Sequence, residues 1–66
     1  MTRVMFQCTM STNMYDEQTR RSKLPIGVFV EPVAIDEVEV RILDLSNGCV
    51  FTLTRRDFDT HFERWR

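Results

Sequence analysis

Sixty-six residues, 42% hydrophobic and 29% charged, are expected to form one small globular domain over 1–66, and this balance argues against disorder. A net charge of −1 argues against a chain basic throughout, the usual footprint of a duplex-binding protein. The longest apolar run, Ile26 to Val30, is too short for a membrane-spanning helix, and no apolar stretch follows the N-terminus as a secretory signal would. No membrane partner is expected, and the expected location is cytoplasmic.

Residues 2–10 are β-branched and apolar enough for a first strand, with Val4, Phe6 and Cys8 on one face and Met5 on the other. Residues 11–24 are polar without a clear period and read as a long loop. The alternative is a short helix capped by Ser11, Thr12 or Asn13. Loops of this length in small domains are often functional, which marks Tyr15 and the Arg20-Arg21 pair.

Strand character resumes after Leu24-Pro25. A strand over 26–31 is predicted to continue with a kink through 33–35, because Pro32 cannot donate to a ladder and belongs at an edge or bulge. Asp36-Glu37 then turns into a hairpin over Val38 to Thr54. Asn47-Gly48 is its turn signal, since a type I′ turn needs positive φ at two consecutive residues. With those two residues as the loop, Leu45 would face Val50, Asp44 would face Phe51, and Ile42 would face Leu53. One face then carries Val38, Val40, Ile42, Cys49, Phe51 and Leu53, with Asp44 as its only charge. Leu43, Leu45 and Val50 fall on the opposite face, either covered by a strongly curled sheet or left as an exposed apolar patch.

The segment from Thr54 to the C-terminus reads as a short amphipathic helix. Thr54 and Asp57 stand where a capping box places them. Asp57 and Asp59 suit the positive end of the helix dipole, and Arg64 and Arg66 the negative end. Phe58, Phe62 and Trp65 follow i, i+4, i+7 spacing and would form a stripe closing one open end of the sheet.

The chemistry-bearing residues are sparse. Cys8 and Cys49 are the only cysteines and His61 the only histidine, so neither a zinc site nor another metal or cofactor is expected. The two thiols read as reduced and buried, with a disulfide between them as the alternative. Asp57 and His61 could form an acid–base couple, but a solvent-facing i, i+4 pair is the simpler reading. No catalytic residue is assigned, and the chain is not expected to be an enzyme.

Charge is unevenly spread. Glu31, Asp36, Glu37, Glu39 and Asp44 face only Arg41 in one stretch, whereas Arg20, Arg21 and Lys23 lie upstream and Arg55 and Arg56 downstream. The basic residues could meet a phosphate backbone if they converged. The acidic belt could meet a basic partner.

The pattern Val38-Glu39-Val40-Arg41-Ile42, the Asn47-Gly48 turn, Val50-Phe51-Thr52-Leu53, and the ending Asp57-Phe58-x3-Phe62-x-Arg64 resembles small phage and prophage proteins of the Src-homology-3-like barrel type. That resemblance covers about residues 37–66, under half the chain. It implies an accessory protein that binds host machinery or nucleic acid without catalysis, in the host cytoplasm if phage-encoded.

The fold class expected from all of this is mainly β, barrel-like, with four or five antiparallel strands and one short C-terminal α-helix. It becomes α+β if 11–24 is helical. The expected function is non-enzymatic binding that occludes a surface of a larger host protein. Tyr15, Arg20, Arg21, Glu37, Glu39, Leu43, Leu45, Val50 and Trp65 are the candidate contact residues. The competing reading is a nucleic-acid-binding barrel using Arg20, Arg21, Lys23, Arg55 and Arg56. A chain this short buries only about 60% of its unfolded surface, so a homo-oligomer is a further possibility.

Overall fold

Alternation of apolar and polar side chains builds nearly all of the structure. A computed structural model describes residues 4–18 and 20–65; Thr2, Arg3 and Arg66, which enter the sequence reading, lie outside them. Among the described residues, seven strands and one helix follow in the order β1 (Met5–Cys8), β2 (Thr12–Asp16), β3 (Arg21–Leu24), β4 (Phe29–Ile35), β5 (Glu39–Asp44), β6 (Val50–Thr54), α1 (Arg55–His61) and β7 (Phe62–Trp65). The strands form one antiparallel sheet in the order β3-β2-β6-β5-β4-β1-β7, curled into a half-barrel. The mainly β fold with one helix is therefore as expected, with more strands than the four or five foreseen.

The concave side holds the core. Cys8, Met14, Leu24, Val30, Val40, Ile42, Phe51, Leu53, Phe58 and Phe62 are buried together, with Phe6 and Val28 packed against them. Every second residue of β5 and β6 contributes, as a period of two requires. The half-buried Leu43 and Val50 lie on the other side.

The 11–24 segment is neither loop nor helix but a β-hairpin, in which Thr12, Asn13, Met14 and Tyr15 pair with Leu24, Lys23, Ser22 and Arg21. Its turn contains no glycine or proline. Asp16 supplies the closure instead: its Oδ1 accepts the N–H groups of Gln18 at 2.9 Å and Arg20 at 2.8 Å, and its Oδ2 accepts Arg20 Nε at 3.0 Å. An Asx turn of this kind does locally what glycine does by conformational freedom. Thr12 and Met14 point inward and are buried, while Asn13 and Tyr15 point outward.

Between β4 and β5 the register shifts between Pro32 and Ala34, the bulge expected where proline interrupts a ladder. At the following turn, Asp36 Oδ1 accepts the N–H groups of Val38 at 2.8 Å and Glu39 at 2.7 Å. Val38 is consequently in the turn and 74% exposed, not in the core as its strand-like sequence context suggested.

The β5–β6 hairpin keeps its expected faces but not its expected register. Leu43 faces Val50, Ile42 faces Phe51, and Val40 faces Leu53, a shift of two residues that leaves the side chains of both strands on their original sides, though Val38 and Cys49 fall outside the strands. The loop is wider than Asn47-Gly48 alone. Asp44 Oδ1 accepts Ser46 N–H at 2.8 Å and the Ser46 hydroxyl at 2.6 Å, Gly48 N–H donates to Asp44 O at 2.8 Å, and Gly48 has φ of +76°. Cys49 falls in this loop and is exposed, so only Cys8 is a buried thiol; both are free.

The C-terminal segment is shorter in helix than its periodicity predicts. Thr54 caps α1 by accepting Asp57 N–H at 3.1 Å, but Phe62 and Trp65 belong to β7, which pairs with β1. Arg64 is likewise in a strand and not at a helix terminus. The apolar spacing of 58, 62 and 65 suits a helix, yet pairing with the unfilled edge of β1 wins over it. Phe58 still seals the barrel, with its ring 4.8 Å from Phe6 and 5.3 Å from Phe62.

Candidate functional site: the outer face of the sheet

Directly opposed residues in a sheet share a face, so the register determines which side chains meet outside the core. One end of the outer face is apolar. Leu43 is opposed by Val50 on one side and Glu31 on the other, and Phe29 is opposed by Gln7. Leu45 joins them at the loop entrance, its N–H donating to Phe29 O at 3.1 Å. Trp65, opposed by Met5, sets its ring edge-on to Phe29 at 5.2 Å and is 49% exposed. Four of the candidate contact residues, Leu43, Leu45, Val50 and Trp65, thus occupy one end of one surface. Phe29 completes it and was not among the candidate contact residues, because an unbroken apolar run does not show which of its members faces outward. The signal was its alternation with Val30.

The other end is polar and grooved. Tyr15 is opposed by Arg21 and by Thr52, and Thr52 in turn by Arg41, so a row of Arg21, Tyr15, Thr52 and Arg41 crosses four strands. The β2–β6 ladder is short, with register partners only at Tyr15–Thr52 and Asp16–Phe51. Beyond it a groove of about 320 Å³ is lined by Asn13, Tyr15, Val38, Glu39, Thr52, Leu53, Thr54 and Asp57. A shallower depression shares Tyr15, Glu39 and Thr52 with it and adds Asp16, Glu17 and Arg41. Glu37 lies apart, exposed in the turn before β5.

The acidic belt does not persist as a surface. Asp44 is buried and spent on its loop, Asp36 on its turn, and Glu31 is half-buried beside Leu43. Hydrogen bonds from Glu39 and Val38 N–H hold the Asp36 carboxyl below the ordinary aspartate range. The N–H of Arg20 does the same for Asp16, reinforced by Gln18 N–H and the Arg20 guanidinium.

Two of the five basic residues are locally occupied. Arg20 pairs with Asp16 at 3.0 Å, and Arg55 pairs with Asp59 at 3.2 Å while donating to Asp36 O at 3.2 Å. Arg21 and Lys23 lie on the edge strand β3, and Arg56 lies on the helix.

His61 is not a solvent-facing partner of Asp57. Its side chain is half-buried, with Nδ1 enclosed and unpartnered, and its carbonyl accepts Thr9 N–H at 2.8 Å and the Thr9 hydroxyl at 3.1 Å. Among the described residues no three His, Cys, Asp or Glu side chains converge to hold a metal ion, and no helix is long and apolar enough to cross a membrane. Burial raises the Cys8 thiol above its ordinary range, whereas a reactive thiol needs the opposite shift.

No family model, curated protein or solved structure matches this chain.

Proposed function

We propose that this chain is a non-enzymatic binding protein, a phage-like accessory or inhibitory protein that occludes a surface of a larger host protein with the outer face of its sheet. One observation carries the reading: Leu43, Leu45, Val50, Phe29 and a half-exposed Trp65 gather on the side of the sheet away from the core. Apolar side chains on a second face contribute nothing to the core they turn away from, and tryptophan in such a setting is a frequent hot spot of protein interfaces. The likeness of residues 37–66 to small phage barrel proteins supports the same class of function. The nucleic-acid reading is weaker, because Arg20 and Arg55 already answer to Asp16 and Asp59.

The test is affinity capture from bacterial lysate with wild-type protein and with Leu43→Asp, followed by reconstitution of the captured protein with this chain on a sizing column. The reading expects a defined complex formed by the wild type and lost in the folded variant. Equal capture by Leu43→Asp overturns it. So does a self-association that Leu43→Asp abolishes with no other protein retained, or a salt-sensitive gel shift with nucleic acid that depends on Arg21 and Lys23.

A further inference from the structure

The groove at the polar end of the outer face has a composition distinct from the apolar end. Its lining includes Tyr15, 49% exposed, and Val38, the most exposed large apolar side chain described. It lies where β2 and β6 diverge, on the Asn13 side of Tyr15 and the Thr54 side of Thr52. Carboxylates dominate the rim. Glu39 and Asp57 line the groove and Glu17 the adjoining depression. None of the three has an ion-pair partner among the described residues, while Asp16 is already answered by Arg20. Arg41 is the single cation in the combined lining, and Arg21, opposite Tyr15 on the same face, stands just outside it.

We propose that this groove binds an extended segment of a partner protein carrying an arginine or lysine, whose cationic head lies over the Tyr15 ring between Glu39 and Asp57. The chemistry has two complementary parts. An aromatic face attracts a cation through its quadrupole, and the flanking carboxylates supply charge complementarity that a neutral or acidic segment lacks. The aliphatic stem of the same side chain covers Val38, which lets one residue type satisfy both the apolar wall and the acidic rim. A phosphate-bearing partner would instead meet Glu17, Glu39 and Asp57 as like charge.

The inference rests on reading the outer face as a binding surface, but its test needs no identified partner. The probe is the blocked pentapeptide Ala-Arg-Ala-Arg-Ala, titrated into the isotope-labelled full chain and followed by amide chemical shifts. Ala-Glu-Ala-Glu-Ala and oligothymidylate serve as comparisons. The expected result is saturable shifts centred on Asn13, Tyr15, Glu39, Thr52 and Thr54 with the arginine peptide alone. Tyr15→Ala and Glu39→Gln should each weaken that binding by about two- to fivefold, with the remaining spectrum unchanged. Both substitutions are at exposed positions, so folding is retained. Unchanged affinity in both variants, shifts centred elsewhere, no saturation, or stronger shifts of the same residues with oligothymidylate would each overturn the inference. Leu43→Asp lies outside the groove lining. Loss of lysate capture in that variant with peptide binding intact, and loss of peptide binding in Tyr15→Ala with capture intact, separate the two claims.

Discussion

Asp44 offers the sharpest test of how this chain sets its central register. By sequence it is a lone charge on a core face, where a leucine should be better. In the fold it is 4% exposed and holds the β5–β6 loop through Ser46 N–H at 2.8 Å and the Ser46 hydroxyl at 2.6 Å. Replacing it with alanine removes both bonds and leaves the Ser46 N–H and hydroxyl without that acceptor. Hydrogen bonds to a charged acceptor contribute about 1.5–3 kcal/mol, and we take about 2.5 kcal/mol for the two together because they share one oxygen. A domain of this size shifts in Tm by about 4–8 °C per kcal/mol, so Asp44→Ala should melt roughly 10–20 °C below the wild type by circular dichroism. Asp44→Asn retains an acceptor and should lose less than half of that. Asp44→Leu decides the matter. If the position were a tolerated charge in a hydrophobic site, leucine would raise Tm, whereas a loop-organising role requires Tm to fall. A Tm at or above wild type for Asp44→Leu, or an Asp44→Ala protein within about 0.5 kcal/mol of wild type, would refute the reasoning.

Three further outcomes follow from the geometry. Thr54→Ala removes the acceptor for Asp57 N–H and should cost about 1 kcal/mol in chemical denaturation, with Thr54→Ser restoring most of it. The lowered carboxyls of Asp16 and Asp36 contribute stability that is full above the ordinary aspartate value of about 3.9. It fades as pH falls through their lower folded values, so the acid limb of a stability–pH profile should flatten in Asp36→Asn. Cys49 should react promptly with a thiol reagent at neutral pH and Cys8 only on unfolding, since one is exposed and the other buried; two equivalents from native protein would contradict the packing of β1.

The outer face was partly legible before the fold was known. Leu43, Leu45 and Val50 break the alternation of their hairpin, and a break in period two is itself a statement that both faces carry apolar groups. Tyr15 and Glu39 come together only because β2 docks on β6, a pairing between residues nearly forty positions apart. Nothing in either local sequence encodes that contact. Asn13 and Thr52 enter the groove by the same route, and neither they nor Asp57 were marked as contact residues. The acidic belt shows the reverse error: proximity in sequence suggested one surface, but the turns at 36–39 and 44–49 consume two of its carboxylates as hydrogen-bond acceptors.

By itself, the sequence determined the faces of β5 and β6, the bulge at Pro32 and the cap at Thr54, because each depends on side-chain type within a few residues. Tertiary structure decided the rest. Whether 62–65 continued a helix or became β7 turned on the open edge of β1, which supplies hydrogen-bond partners that a helix end lacks. Whether 11–24 was a loop or a hairpin turned on room in the core for Met14 and Leu24, whose burial at 2% and 1% exposure stabilises strands that their polar neighbours alone would not form.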